Sequence, residues 1–171
     1  MKLEKAKLKY SRYVDPSSIK EHVLKILGKA RADRNDVLNL AEYVRKNIRT
    51  TRGFDRPPYP LEILKAGYGT CFAKAILLAS MLRASGFNED EVFVVVCKLH
   101  EFEQDPVLQG LLHAVVIVYI SGKILVLNPS STELCIEINS FEELSKLGKV
   151  YCIFNDKKGY ICIPKDVIST F

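Results

Sequence analysis

The segment from Tyr68 to Gly86 most constrains what this chain can fold into. It opens with Gly69-Thr70-Cys71 and continues as a helix of about fifteen residues closed by Gly86. Only Lys74, Ser80, Arg83 and Ser85 interrupt the apolar sequence, and they do not share one face. A helix that is apolar nearly all round has to be buried, so the rest of the chain must wrap it. Cys71 falls on its first turn. Free N–H groups and the positive end of the helix dipole favour an anion there. A thiol so placed ionises in the range of roughly 3.5–7.5 known for activated cysteines. A cysteine is equally a small hydrophobe that is commonly buried and inert. This segment alone leaves both readings open.

A length of 171 residues supports one domain with a substantial core, and 48% apolar with 26% charged residues excludes a disordered chain. We expect a single domain over residues 1–171. No apolar run approaches the ~18 residues of a membrane span, so no membrane partner is expected. The charged start, Met1 to Lys7, lacks the apolar stretch of a secretory signal. Five cysteines stand at 71, 97, 135, 152 and 162, an odd number without C-x-x-C or zinc-site spacing. The last four sit in apolar, strand-like runs and read as buried thiols. A reducing, cytoplasmic compartment is the expectation. Charge is uneven: residues 1–60 hold 15 Lys/Arg against 7 Asp/Glu, whereas the remainder holds 10 against 13. The basic part carries no aromatic-interleaved or glycine-rich nucleic-acid motif and reads as a solvated face, so no nucleic-acid partner is expected.

Along the chain, residues 1–14 read as an arm or short edge element. Asp15-Pro16 starts a helix that Gly28 ends. A second amphipathic helix is predicted over 34–50, capped by Asp33 or Asn35. A loop rich in breakers follows over 51–60, then a short helix, 61–66, and a Gly67-Tyr68-Gly69-Thr70 turn. After the central helix the period changes from 3.6 to 2. Strands are predicted at 92–99, 111–120 and 123–127, with an acidic loop over 100–110. The two loops, 51–60 and 100–110, are candidates to line a cleft. Asn128-Pro129 ends the third strand. Ser140 and Glu143 form a capping box opening a helix that stops at Gly148. Strands at 150–154 and 160–164 close the chain. Helices first and consecutive strands after predict an α+β domain, with helices packed on an antiparallel sheet.

His113 lies inside the second of these strands and shares a face with Val115, Ile117 and Tyr119. If Ser121-Gly122 is a two-residue hairpin turn, Ile120 pairs with Lys123 and Asn128 falls opposite Val115. Asn128 is then the diagonal neighbour of His113, about 7–8 Å away between Cα atoms. A longer turn would send it to the other face. Taken singly, His113 reads as a core histidine and Asn128 as a turn residue. Taken with Cys71, they have the logic of a thiolate–imidazolium pair whose ring is oriented by a third group.

Gly69-Thr70-Cys71 with its apolar helix ending in Leu82-Arg83-Ala84-Ser85-Gly86-Phe87 resembles the nucleophile segment of the transglutaminase-like superfamily. Leu112-His113-Ala114-Val115 and Leu127-Asn128-Pro129-Ser130 resemble its histidine and acid segments. The order matches, with separations of 42 and 15 residues, and the resemblance covers roughly residues 35–131. It implies a papain-like fold, with Cys71 on a helix against a sheet carrying His113 and Asn128. It also implies acyl transfer from a peptide or protein amide through a thioester, as transglutamination, deamidation or hydrolysis. This chain differs by Asn128 where most members carry Asp, and by Val115 in a place commonly aromatic; it has no Trp. Papain-like proteases use Asn in that role. No cofactor or metal is expected. Two other readings stay open: a binding module on the same scaffold that has lost turnover, and a metal site using Cys71, His100 and His113.

Overall fold

In a computed structural model of the chain, residues 2–53 and 58–163 are described. The first helix, α1 (Pro16–Leu27), starts where Asp15 accepts a hydrogen bond from the Ser18 N–H at 3.2 Å, and Gly28 ends it. The second, α2 (Arg34–Asn47), is opened by a reciprocal capping box between Asp33 and Asp36. It stops three residues before its predicted end. Arg49–Thr50 (β2) pairs in parallel with Tyr68–Gly69 (β3), so the chain leaves the helix to form a two-residue ladder. Residues expected to make only a turn before Cys71 are thereby tied down. The short helix α3 (Pro60–Ala66) lies between the two strands. Phe54 to Pro57, within the predicted 51–60 loop, lie outside the described residues.

The central helix, α4 (Cys71–Ala84), is capped by Thr70, whose hydroxyl accepts from the Ala73 N–H at 3.2 Å. Every residue from Ala73 to Leu82 is buried. Helices α1, α2 and α3 pack on one side of α4 and a sheet on the other. That sheet has seven antiparallel strands in the order β1 (Lys2–Lys5), β9 (Gly159–Ile163), β8 (Gly148–Phe154), β4 (Val92–Leu99), β5 (His113–Ile120), β6 (Lys123–Leu127) and β7 (Cys135–Ile138). The architecture is α+β, with helices against an antiparallel sheet, as predicted. Period-2 alternation divides the core. Val94, Val116, Val118, Leu125 and Leu127 face α4, while Val95, Val115, Ile117, Val126 and Ile153 face the other way.

Three details differ from the sequence reading. β5 begins at His113 rather than residue 111, so the histidine is the first residue of its strand. β7 adds a strand after Asn128, and the amide of Asn128 donates to the Leu134 carbonyl at 2.8 Å. The Ser140–Glu143 capping box does not form. Ser140 makes no cap bond, Glu143 accepts instead from the Asn139 N–H at 3.2 Å, and a short 3-10 turn leads into α5 (Leu144–Leu147). The basic N-terminal residues, expected as an arm or short edge element, do supply the edge strand β1, followed by a 3-10 turn over Lys9–Tyr13. Pro164, the predicted end of the last strand, lies outside the described residues. Among the described residues no helix is long and apolar enough to cross a membrane.

Candidate active site

The nucleophile segment is built by close packing. A Cβ on Gly69 would stand 2.9 Å from the Cβ of Ala73, so only glycine lets β3 pass this near the first turn of α4. Thr70 then caps the helix, and Cys71 is its first residue. The thiol is partly buried. His113 reaches the same place from the start of β5. It is 7% exposed, and its ring hydrogen-bonds the Cys71 thiol.

The third residue arrives through the hairpin. Ser121 and Gly122 have φ of 52° and 75°, the paired left-handed values of a tight two-residue turn. β5 and β6 pair from Ile120↔Lys123 to Val116↔Leu127, the register predicted from the sequence. Asn128 follows directly, and its Oδ1 lies 3.0 Å from Nε2 of His113.

A second contact of Asn128 fixes the proton positions. The Ser130 N–H, an obligate donor, points at the same Oδ1 from 3.3 Å. The atom between Ser130 and His113 is therefore an acceptor, so Nε2 carries a hydrogen and donates it. Nδ1 of the neutral ring then carries the lone pair, and by elimination it is the nitrogen in the hydrogen bond with the Cys71 thiol. Leu134 and the β6–β7 turn hold the Asn128 backbone in place.

The electrostatics follow from this arrangement. Burial pushes the Cys71 thiol up. The hydrogen bond and charge of His113, with the N–H groups of Ala114 and Phe72, outweigh it and bring its pKa below the ordinary 9.0. For His113, burial acts downward. The hydrogen bond and charge of Cys71, the bond to Asn128 and the carboxylate of Glu101 outweigh it and lift the imidazole above 6.5. The other thiols move the opposite way through burial: Cys97 is pushed up to about 12, Cys162 to about 11, and Cys135 and Cys152 upward.

An open cleft of about 370 Å³ lies over Cys71 and His113, lined by Tyr10, Phe72, Val96, Leu112, Tyr151 and Cys152 among others. Among the described residues that line it there is no Asp, Glu, Lys or Arg. A smaller cavity of about 260 Å³ lies behind Asn128, bounded by Leu99, His100, Glu101 and Lys146 among others. The predicted 100–110 loop thus flanks the Asn128 side, and the cleft walls come from the N-terminal turn and β8. Sequence reasoning missed Tyr10, Tyr151 and the Ser130 amide. Nothing local marks them, because each reaches the site only through strand order or a turn. His100 turns to the Ser145 carbonyl at 3.3 Å and to Glu103. Among the described residues no three His, Cys, Asp or Glu side chains are placed to hold a metal ion.

Comparison with known proteins agrees with the geometry. The family model of the transglutaminase-like superfamily matches residues 20–129. None of the curated proteins matches the chain. Among solved structures, the fold is similar to LapG of Legionella pneumophila, with a TM-score of 0.64 at 13% identity over 91% of this chain and 92% of that one. It is also similar to a candidate cysteine protease from Cytophaga hutchinsonii, with a TM-score of 0.60 at 17% identity over 85% of this chain. The present chain spans 48% of that protein's length. At such identities the likeness is one of fold. The family match reaches over more than half of the chain and includes Cys71 and His113 with Asn128 at its end, and the chain belongs to the transglutaminase-like superfamily.

Proposed function

We propose that the protein is a thiol enzyme that breaks amide or peptide bonds through a thioester on Cys71, with His113 as general acid–base and Asn128 as its positioning residue. The observation that carries this reading is the hydrogen-bonded chain from the Ser130 amide through Asn128 and His113 to a thiol at a helix N-terminus. Each link fixes the next, and the last leaves a basic nitrogen facing a thiol of lowered pKa. A core histidine needs none of these constraints on its tautomer.

The chemistry follows from the proton positions. Nδ1 of His113 takes the thiol proton, and the thiolate attacks the carbonyl carbon. The carbonyl oxygen becomes an oxyanion beside the helix start, where the Cys71 N–H is a donor. The C–N bond breaks as Nδ1–H protonates the leaving amine, and the acyl group stays on sulfur. Water or a second amine, deprotonated by Nδ1, then attacks the thioester and returns the proton to the thiol through the same nitrogen. Throughout, Nε2–H stays on Asn128.

The test is the pH dependence of Cys71 alkylation by iodoacetamide, followed by a peptide and amine library with Cys71→Ala as control. Rapid labelling of Cys71 that slows in His113→Ala, with library turnover lost in Cys71→Ala, is the expected result. Labelling that ignores His113→Ala would end the acyl-transfer reading and leave a binding module on this scaffold.

A further inference from the structure

The basic excess of the N-terminal third has a place in the fold. A groove of about 580 Å³ lies between the 3-10 turn and the β8–β9 hairpin, lined by Lys7, Lys9, Arg12, Asp156, Lys157 and Lys158 among others. The one carboxylate among its described lining residues is already neutralised, because Asp156 accepts from the Arg83 guanidinium at 2.7 and 3.1 Å. Lys158 is paired with Glu89 and Asp90, at 3.3 and 2.6 Å. Lys7, Lys9, Arg12 and Lys157 are exposed and have no carboxylate partner among the described residues. The groove is therefore a concave surface with an unbalanced positive charge.

The groove adjoins the catalytic cleft. One 3-10 turn forms the wall between them. Tyr10 faces the cleft and meets Phe72 edge-on at 5.4 Å, while Lys9 and Arg12 on either side of it face the groove. Cations also stand on both rims of the cleft. Lys9 lies over the Tyr10 ring at 5.3 Å, and Lys149 over Tyr151 at 5.5 Å. The described lining of the cleft holds no Asp, Glu, Lys or Arg, and cations stand on its flanks.

We propose that this groove binds an acidic segment of the polypeptide whose scissile bond enters the cleft. The inference rests on the reading of Cys71 as acting on a polypeptide. A nucleic acid fits less well, because none of the described residues lining the groove is aromatic, so none of them offers a base a stacking face. Three of the four cations without a carboxylate partner are lysines, point charges suited to separate carboxylates along a chain, and the fourth, Arg12, donates to the Tyr13 hydroxyl at 3.0 Å.

The test is binding, so it does not depend on turnover. Fluorescein-labelled peptides carry one apolar residue followed by either an Asp/Glu run or the matching Asn/Gln run. Their affinity for Cys71→Ala protein is measured by fluorescence anisotropy, at low and high salt. A single-stranded oligonucleotide of equal charge is the third ligand. The acidic peptide is expected to bind about tenfold or more tighter than the neutral one at low salt, and to lose that advantage at high salt. Combined Lys7→Glu, Lys9→Glu and Lys157→Glu is expected to remove the difference between the peptides. All three side chains are exposed, and an unchanged thermal midpoint shows that the variant is folded. Equal affinity for both peptides, an unchanged preference in the triple variant, or tighter binding of the oligonucleotide each overturns the proposal. A Cys71 thiol that fails to respond to His113→Ala would sink the acyl-transfer reading while this binding result stood apart from it.

Discussion

At Cys71 two forces oppose each other, and hydrogen bonding with charge wins over burial. At Cys97, Cys135, Cys152 and Cys162 burial is the largest influence and nothing outweighs it, so their pKa values rise. Iodoacetamide at neutral pH is therefore expected to label Cys71 first, as read by peptide mapping. In His113→Ala the thiol loses the largest of the influences that lower its pKa, while burial and the N–H groups of Ala114 and Phe72 remain. The acid limb of its alkylation profile should move to higher pH. Labelling at neutral pH should fall by roughly tenfold for each pH step of one through which that limb moves. A more basic thiolate is also a stronger nucleophile, so the net loss will be somewhat smaller. For Asn128, the amide fixes the ring tautomer without adding charge. Asn128→Asp adds a carboxylate beside Nε2, and a hydrogen bond to an ionised group is about twice as strong. His113 is expected to hold its proton to higher pH, moving the basic limb of the profile up, whereas Asn128→Ala should lower turnover of the peptide and amine library by less than Cys71→Ala or His113→Ala. Coincident profiles for wild type, Asn128→Asp and Asn128→Ala would reduce Asn128 to a turn residue.

At the scale of the element, α4 is held by its buried length and positioned by its first turn. Leu78→Ala removes a fully buried side chain and is expected to cost about 2–5 kcal/mol, measured by urea unfolding. Thr70→Ala removes only the cap, about 0.5–2 kcal/mol, yet it also frees the backbone at Cys71, so alkylation should slow in the folded protein. Lys74 stands one turn beyond Cys71, 2% exposed, with its ammonium donating to the Thr50 hydroxyl at 3.0 Å. Burial, and then the charge of Arg45, lower its pKa from 10.5. The unfolded chain therefore holds this proton more tightly than the folded one. The penalty is present while Lys74 is charged in both states, and stability should rise with pH between the lowered folded value and 10.5. In Lys74→Met this slope is expected to flatten when urea midpoints are compared across that window. Much at this scale was legible. The apolar run of α4, the caps at Asp15 and Asp33 and the Ser121–Gly122 turn are local signals, and each forms as read. The end of α2 was not legible. Propensity would carry the helix on to Thr50, and the partner that stops it, Tyr68–Gly69, lies eighteen or more residues away.

For the whole molecule, strands far apart in the chain meet beside the site. The N-terminal strand β1 pairs with β9, and the following turn delivers Tyr10 onto Phe72 at 5.4 Å. Tyr10→Ala should leave labelling of Cys71 by iodoacetamide unchanged. Labelling by a bulky benzylic reagent, which needs the apolar wall, should slow several-fold. Equal rates for both reagents would remove Tyr10 from the cleft. The sequence by itself determined that a cysteine opens a buried helix, that His113 and Asn128 lie diagonally on one hairpin, and that helices precede an antiparallel sheet. These depend on periodicity, caps and a two-residue turn, all of which act over a few residues. Tertiary structure alone decided that β8 rather than β6 lies on the outer side of β4, that β1 closes the sheet, and that Tyr10 and Tyr151 wall the cleft. Strand order is chosen by which faces bury best against α4, and that sum over distant side chains leaves no periodic trace in the chain.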